Sequence, residues 1–472
     1  MKQLQANRPW HVEAHGIEPV SDLERRGRLS DLFWIWFAAN IGLLGLVYGA
    51  IAVSFGLNFW QGLLAIVGGA SSFLLVGLFT IAGRDGGAPM MTLSRAVFGI
   101  YGNILPNVVS WLSLVGWETI SVITGTLALM ALFGMFVRFS LDVSAIVSMV
   151  LMLGLTILFG LLGQATLVVV QTWASYLFGA LTLVVIVLLI QHTNWTVLWH
   201  HPAGPWVTGF LPALSIIIAG TGLSWANAAA DYSRYIPRSA SRFRIVWATT
   251  LGAVVPLVVL MVVGMLLATR QPGLASAANP IAVIERALPP WMGVPYLLTA
   301  AGGLIVEADL SLYSSGLNLL NMFVPLPRYK TVLIDAAIMI VGTIYVVLVA
   351  QNFFGPFESF ILLLGVGLAA WAGIFLLDQI LFRQEVYRAT DMYPNLKAKK
   401  VRWCAVLAWL LAVATGLLFT TSPFFTGPLA KGIFANSSLE LLMSFAVGLI
   451  LYLVLVTVNT RIVSRRSDTG IQ

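Results

Sequence analysis

The chain has 472 residues, of which 59% are hydrophobic and 10% are charged, and its formal net charge is +7. Soluble domains carry about 25% charged residues, so this composition excludes a soluble protein. Apolar stretches of about 20 residues recur from one end to the other, and helices are the segments that satisfy their own backbone in lipid. We therefore predict an all-α polytopic membrane protein.

The hydropathy pattern predicts about twelve transmembrane helices. In chain order they cover residues 31–55, 58–81, 104–136, 141–162, 165–191, 207–230, 243–268, 294–322, 331–349, 357–381, 401–420 and 437–462. The segment 82–103 is too polar and too rich in glycine for a simple span. We interpret it as a cytoplasmic connection.

The positions of Lys and Arg predict the orientation. With the N-terminus inside, the cytoplasmic segments hold 22 of the 26 basic residues and the external loops hold 4. This asymmetry predicts a protein of the cell inner membrane with both termini in the cytoplasm. It also explains the net charge by contacts with anionic lipid headgroups, without nucleic acid.

The first and sixth predicted helices are both interrupted by small and polar residues. The first contains Ala39-Asn40-Ile41-Gly42, and the sixth contains Gly220-Thr221-Gly222. Such interruptions at matching places in two halves indicate broken helices around a midplane site. Close helix packing through small residues is the alternative, and the offset of five helices favours the broken-helix interpretation.

The third predicted helix carries a candidate ligand site near its middle. Trp117 and Ser121 are four residues apart and share a face, and Glu118 lies beside Trp117. An indole ring next to polar groups suits a flat, nitrogen-rich ligand that stacks and forms hydrogen bonds. An interfacial tryptophan with an acid that reaches the headgroups is the alternative.

The eighth predicted helix carries a polar stripe made of Glu307, Ser311, Ser314 and Asn318, and Asp309 and Tyr313 lie on the adjacent face. Acids inside a span are costly, so either one is protonated or a cation binds with them. Both possibilities fit coupling to an ion or a proton. A structural acid paired with Arg or Lys is the alternative, but no predicted span has a basic residue near its middle.

Motifs for other protein classes are missing from the sequence. The five His residues have no metal-ligand spacing, and there is no nucleotide-binding or nucleophile motif. We expect no metal, no cofactor and no enzymatic activity. A channel would show pore-lining stripes and oligomeric symmetry, and nothing here requires an oligomer. The remaining class is a transporter coupled to a gradient.

Several runs resemble the nucleobase:cation symporter-1 family, and within it the purine/cytosine permease branch. They are ERRGRLSDLFWIWFAAN at 24–40, GGAPMMTLSRAVFGIYGNILP at 86–106, SWLSLVGWETI at 110–120, SWANAAADYSRYIPR at 224–238 and ESFILLLGVGLAAWAGIFLLDQILFR at 358–383. The resemblance implies a LeuT-type fold with an inverted five-plus-five repeat and two additional C-terminal helices.

The implied organisation has five parts. They are a cytoplasmic tail (1–30), a ten-helix transport core (31–382, with inverted repeats of about 31–191 and 207–382), a cytoplasmic loop (383–400), two additional helices (401–462) and a cytoplasmic tail (463–472).

The resemblance also implies a substrate site between the first, third, sixth and eighth helices. Its expected residues are Trp117, Ser121, Thr221, Gly222, Trp225, Asn40 and Ser311. Trp117 matches the tryptophan that stacks on the base. Ser121 stands where relatives often have Asn or Gln, which leaves the base open. Gly222 stands where some relatives have an aromatic ring, so Trp225 is expected to supply the second stacking face.

For coupling, the resemblance places a sodium site at the backbone of Ala39 and Ile41 and at hydroxyls of the eighth helix. Here Val306 and Glu307 stand where hydroxyls are expected, which favours protons over sodium. We expect Glu307, with Asp309 or Glu118 nearby, to respond to the proton. The predicted function is import of cytosine or a purine. Hydantoin, allantoin, thiamine and pyridoxine remain open.

Overall fold

The computed structural model describes residues 9–10, 16–42, 44–137, 140–162, 164–191, 193–350, 354–383, 387–394 and 398–468. Most of these residues are helical. The α-helices are α1 (Leu29–Asn40), α2 (Leu44–Ser54), α3 (Phe59–Ala70), α4 (Phe73–Gly86), α5 (Met90–Phe98), α6 (Ile104–Gly134), α7 (Leu141–Gly160), α8 (Gln164–Ile190), α9 (Trp195–His200), α10 (Leu211–Ile218), α11 (Ser224–Ala226), α12 (Ala229–Ser233), α13 (Arg242–Leu267), α14 (Pro280–Arg286), α15 (Pro290–Asn321), α16 (Arg328–Ile344), α17 (Phe354–Leu377), α18 (Ala389–Met392), α19 (Trp403–Phe419) and α20 (Glu440–Asp468).

Short irregular elements join or extend these helices. π-helical turns cover Trp206–Phe210, Ala219–Leu223, Tyr345–Ala350 and Asp378–Arg383, and 3₁₀ turns cover Leu274–Ser276 and Gly432–Asn436. Between α19 and α20, strand β1 (Thr421–Ser422) pairs antiparallel with β2 (Phe425–Thr426).

The predicted all-α membrane fold is confirmed. Within the described residues, 10 helical segments are long and apolar enough to cross a membrane, and the bent pair of α1 and α2 raises this number to 11. The shorter apolar helix α19 lies in the eleventh predicted span, so each of the twelve predicted spans coincides with a helix.

Two membrane helices are broken where the sequence predicted it. Helix 1 consists of α1 and α2, which are bent by 58° at a break after Asn40. Helix 6 runs from Trp206 to Ser233, and its Thr221 has non-helical torsion angles (φ −123°, ψ −109°). Both breaks expose backbone polar groups that need partners inside the bundle.

The segment 82–103 is more structured than a plain connection. It contains α5, and all nine residues of this helix are buried. The Met90 amide at the start of α5 donates a hydrogen bond to Asp231 Oδ1 of helix 6 (2.7 Å). Asp231 thus satisfies an amide that the first turn of a helix leaves unpaired. The segment is not a span among the described residues, as predicted, and its glycines flank α5 without interrupting it.

Close backbone packing holds helix 1 against α13. A side chain at Gly49 would overlap the backbone of Met261, and one at Gly264 would overlap the carbonyl of Leu46. The two glycines therefore let α2 and α13 approach each other from both sides, as small residues do in membrane helix pairs. This contact supports the half of helix 1 that follows the break.

Gly264→Ala should destabilise the protein because its new methyl group has no room against α2. We expect a loss of about 1–3 kcal/mol, typical of overpacking. Thermal stability of the detergent-solubilised protein measures it. Gly154→Ala is the matched control, since a Cβ at Gly154 in α7 meets no atom within 4 Å. Equal melting temperatures for the two variants would contradict the proposed packing.

Candidate functional site

Glu307 of α15 lies opposite the break of helix 1. Its Oε2 atom is 3.5 Å from the position that a Cβ at Gly42 would occupy. Its charge also acts on Tyr48 of α2, whose hydroxyl donates a hydrogen bond to the Gly220 carbonyl in helix 6 (3.2 Å). The acid and the two breaks therefore meet in one region of the bundle.

The Glu307 side chain is only 8% exposed. Among the described residues, no Lys or Arg acts on its carboxyl group. A buried carboxylate without a cation is strongly disfavoured, so a proton or a bound cation is needed here. The pairing of Glu307 with a basic residue elsewhere, which the sequence left as an alternative, is therefore not seen in this part of the chain.

Asp309 has different surroundings from Glu307. Two residues along a helix turn the side chain by about 200°, so the two acids point to opposite sides of α15. Asp309 faces the charge of Arg328, which is buried at the start of α16. Arg328 also donates to the Leu162 carbonyl (2.6 Å) and lies over the Tyr313 ring (5.0 Å from carbon to centroid). A structural role, in which the acid pairs with a basic residue, therefore suits Asp309 better than Glu307.

Trp117 of α6 belongs to an aromatic group with α17. Its ring packs edge-on against Phe357 and Phe360, with centroids 6.1 and 5.8 Å apart. Phe357 in turn contacts the Tyr48 ring at 5.8 Å. This chain of rings connects the candidate stacking residue to the half of helix 1 that faces Glu307.

Three predicted site residues have unused hydrogen-bonding capacity. The indole nitrogen of Trp117 and the hydroxyls of Ser121 and Ser311 are buried and have no hydrogen-bond partner among the described residues. Buried polar groups are normally paired, so three such groups on α6 and α15 indicate that a ligand or water satisfies them. The two helices make the most extensive contact in the bundle.

Glu118 does not join Trp117 in the aromatic group. Adjacent residues on a helix are about 100° apart, so the two side chains meet different neighbours. Glu118 faces Ser315 of α15 and Asp335 of α16. The structure therefore separates Glu118 from the Trp117 ring, although the sequence placed them side by side.

In the break of helix 6, the predicted contact residues face the junction of α3 and α4. The Thr221 hydroxyl donates to the Ile217 carbonyl (2.6 Å) and lies 3.2 Å from Ser72 Oγ. The Gly222 amide donates to the same Ser72 oxygen (3.1 Å). A side chain at Gly222 would overlap the Ser72 backbone, which explains why no aromatic ring stands here.

Trp225 follows the break and packs edge-on against Trp36 of α1, with centroids 5.6 Å apart. In the break of helix 1, the Asn40 side chain donates to the Trp36 carbonyl one turn earlier in α1 (2.8 Å). Ala39 is buried, and Ile41 is the first residue beyond the helix (φ −86°, ψ 3°). Carbonyl groups in the last turn of a helix lack amide partners, so the backbone near Ala39 and Ile41 has acceptors for a ligand or ion.

The polar stripe of α15 continues into a cluster whose partners on α6 and helix 6 sequence reasoning missed. Ser110 Oγ of α6 accepts hydrogen bonds from the side chains of Asn227 and Asn318, each at 2.8 Å. Tyr232 of α12 shares a hydrogen bond with Ser314 of α15 (2.8 Å). Asn227 and Tyr232 lie inside the run SWANAAADYSRYIPR, which was the signal available for them. Within the described residues there is no group of three or more His, Cys, Asp or Glu that could hold a metal ion.

Solved structures with the same arrangement are membrane transporters. The chain matches Mhp1, a nucleobase-cation-symport-1 family transporter in a closed conformation with bromovinylhydantoin bound (TM-score 0.75, 18% identity, 95% of this chain and 96% of that one). It also matches a substrate-bound, outward-open Na⁺-coupled sialic acid symporter (TM-score 0.59, 12% identity, 92% of each chain). These matches show that the chain has a LeuT-type fold.

Sequence comparison gives the family. Residues 19–454 match the family described as permease for cytosine/purines, uracil, thiamine, allantoin. YxlA of Bacillus subtilis (strain 168), named as a candidate purine-cytosine permease, is 28% identical over 459 residues, which are 94% of this chain and 96% of YxlA. The purine-cytosine permease fcyB of Emericella nidulans is 23% identical over 443 residues, 89% of this chain and 84% of fcyB. The chain belongs to the nucleobase:cation symporter-1 family of cytosine and purine permeases, whose members are transporters and not enzymes.

Ser72→Ala should destabilise the break of helix 6, because the Gly222 amide loses its acceptor. A buried donor without a partner costs about 1–3 kcal/mol. We expect a lower melting temperature in detergent. The neighbouring Ser71→Ala is the matched control, since the Ser71 hydroxyl is exposed and bonds only to its own helix at Val67. A melting temperature for Ser72→Ala equal to that of Ser71→Ala would argue against this role.

Proposed function

We propose that the chain is a secondary active transporter that imports a nucleobase, cytosine or a purine, by symport with a cation, and that the cation is a proton rather than sodium. The observation that carries this proposal is the position of Glu307, a buried acid without a basic partner among the described residues, at the break of helix 1. The family description and the names of the relatives support a nucleobase as substrate.

At this place α15 offers one carboxylate and few other oxygen ligands, which favours a proton over sodium. A single carboxylate can bind a proton, whereas sodium needs several oxygen ligands. The position before Glu307 is the apolar Val306, and its carbonyl already accepts a hydrogen bond from Gln171 of α8 (2.9 Å). Proton binding from outside would neutralise the acid and permit a closed, dry site, and release to the inside would reset it.

Substrate recognition would use the stacking face of Trp117 and the unused polar groups around it. A planar base stacks on an indole irrespective of its identity. Hydrogen bonds from Ser121 and Ser311 would then orient its edge. Trp225 would close the site from helix 6, and the backbone of Thr221 and Gly222, with Asn40 across the break of helix 1, would line it.

A hydantoin-type substrate is the second candidate, because the closed Mhp1 structure that this fold matches contains bromovinylhydantoin. Uracil, thiamine and allantoin appear in the family description, and pyridoxine is a further heterocycle of similar size. We propose the cell inner membrane as the location, with cytoplasmic termini, because of the distribution of Lys and Arg. Lipid is the expected partner, and neither nucleic acid nor an oligomer is required.

Trp117→Ala should weaken substrate binding while leaving membrane insertion intact. Loss of one stacking face costs about 1–3 kcal/mol, which is roughly 5- to 150-fold in affinity. Binding of radiolabelled cytosine or hypoxanthine to purified protein measures this change. Trp173→Ala in α8 is the control, since its ring is 70% exposed on the outside of the bundle. Unchanged affinity in Trp117→Ala would remove Trp117 from the site.

Glu307→Gln should preserve exchange of labelled for unlabelled substrate and eliminate accumulation against a gradient. The amide imitates the protonated acid and cannot release a proton. Both activities can be measured in proteoliposomes with and without a pH gradient. Glu358→Gln, at the partly buried start of α17, is the control and should still accumulate substrate. If Glu307→Gln concentrates substrate with the pH dependence of the native protein, Glu307 is structural and coupling occurs elsewhere.

A further inference from the structure

A second buried acid lies away from Glu307, in α16. The Asp335 carboxylate accepts a hydrogen bond from the Trp111 indole nitrogen of α6 at Oδ1 (3.0 Å) and one from the Ser315 hydroxyl of α15 at Oδ2 (2.8 Å). The residue is fully buried. Two donors on two oxygens are the environment of an ionised carboxylate.

Glu118 approaches the same serine from α6. Its side chain is 0% exposed, and within the described part of the chain neither of its oxygens has a hydrogen-bond partner. The Ser315 hydroxyl of α15 and the Asp335 carboxylate of α16 act on it electrostatically. An ionised Glu118 would therefore be an unsolvated anion beside a second anion, which is a strongly disfavoured arrangement.

The charged groups on the surrounding helices do not supply a cation. In α15 the further group acting on Glu118 is Asp309, which is also an acid. Arg328 of α16 acts on Asp309, and in the described residues no Arg or Lys acts on Glu118 or Asp335. The acidic side chains of α7 and α17 are Asp142, in the first turn of α7, and Glu358, the fifth residue of α17.

One bound proton would remove the repulsion between Glu118 and Asp335. Ser315 has a single hydroxyl hydrogen, which lies within hydrogen-bond distance of Asp335 Oδ2 (2.8 Å) and of the Leu312 carbonyl (3.1 Å), and its oxygen keeps lone pairs for a donor in either case. A protonated Glu118 is such a donor. The result is a chain of hydrogen bonds from the Glu118 carboxyl through the Ser315 hydroxyl to the Asp335 carboxylate, with one negative charge in total.

We propose that Glu118 and Asp335 form a proton-binding site separate from Glu307, in which one proton resides on Glu118 and is shared with Asp335 through Ser315. The proton comes from solvent, forms an O–H bond on Glu118 and leaves as the same proton. When bound, it joins α6 to α15 and α16. When it leaves, two negative charges face each other across these helices and weaken their contact.

Difference infrared spectroscopy of the purified protein at neutral pH tests this assignment. We expect a protonated-carboxyl band that Glu118→Gln removes and that Glu307→Gln leaves in place. Ser315→Ala should shift this band, because Glu118 loses its acceptor. Ser314→Ala should not shift it, because the neighbouring Ser314 bonds to Tyr232 instead. A spectrum of Glu118→Gln identical to that of the native protein would overturn the proposal.

The pH dependence of thermal stability is the second readout. The melting temperature of the native protein should fall as the pH is raised, since the pair then loses its proton. The amide of Glu118→Gln can still donate a hydrogen bond to Ser315 but cannot ionise. The melting temperature of this variant should therefore fall less steeply over the same pH range. Equal slopes for the two proteins would contradict a shared proton. If Glu118→Gln does not fold, the Ser315→Ala and Ser314→Ala spectra decide the question.

Discussion

The structure depends on how carboxyl groups are stabilised when they are buried inside a helix bundle. An acid in the membrane interior needs a proton, a cation or several hydrogen-bond donors. The chain uses hydrogen-bond donors and a basic side chain at different places. Asp231 accepts from the first amide of α5, Asp309 faces Arg328, and Asp335 accepts from two side chains. Glu307 has no such basic partner in the described residues, and it lies where helix 1 is broken.

The two breaks are held by specific contacts and are not loose segments. The Tyr48 hydroxyl donates a hydrogen bond to the Gly220 carbonyl of helix 6, and the Ser72 hydroxyl accepts one from the Gly222 amide. The Asn40 side chain donates to the Trp36 carbonyl one turn earlier in α1. Because the backbone groups in both breaks are engaged in this way, a change in the charge of Glu307 can act on elements that already contact each other. This is the physical basis on which a bound cation could alter the access to the site.

The sequence predicted the spans, the two breaks and the family well, because these depend on local composition and on specific runs of residues. It predicted the partners of individual side chains less well. Neighbours in sequence such as Trp117 and Glu118 were assigned to one site, but the helical rotation between them sends one to α17 and the other to α16. Asp335 was overlooked although it is an acid inside a predicted span. Its partners lie on two other helices, Ser315 on the preceding helix α15 and Trp111 224 residues away on α6, which no local pattern could show.

Proton movement during transport tests the central claim most directly. Purified protein can be reconstituted in proteoliposomes with a pH indicator outside and no sodium present. Addition of cytosine or a purine should then make the external medium more alkaline as substrate and protons enter together, and an uncoupler should abolish accumulation of the substrate. Accumulation that requires sodium and leaves the external pH unchanged would contradict coupling through Glu307.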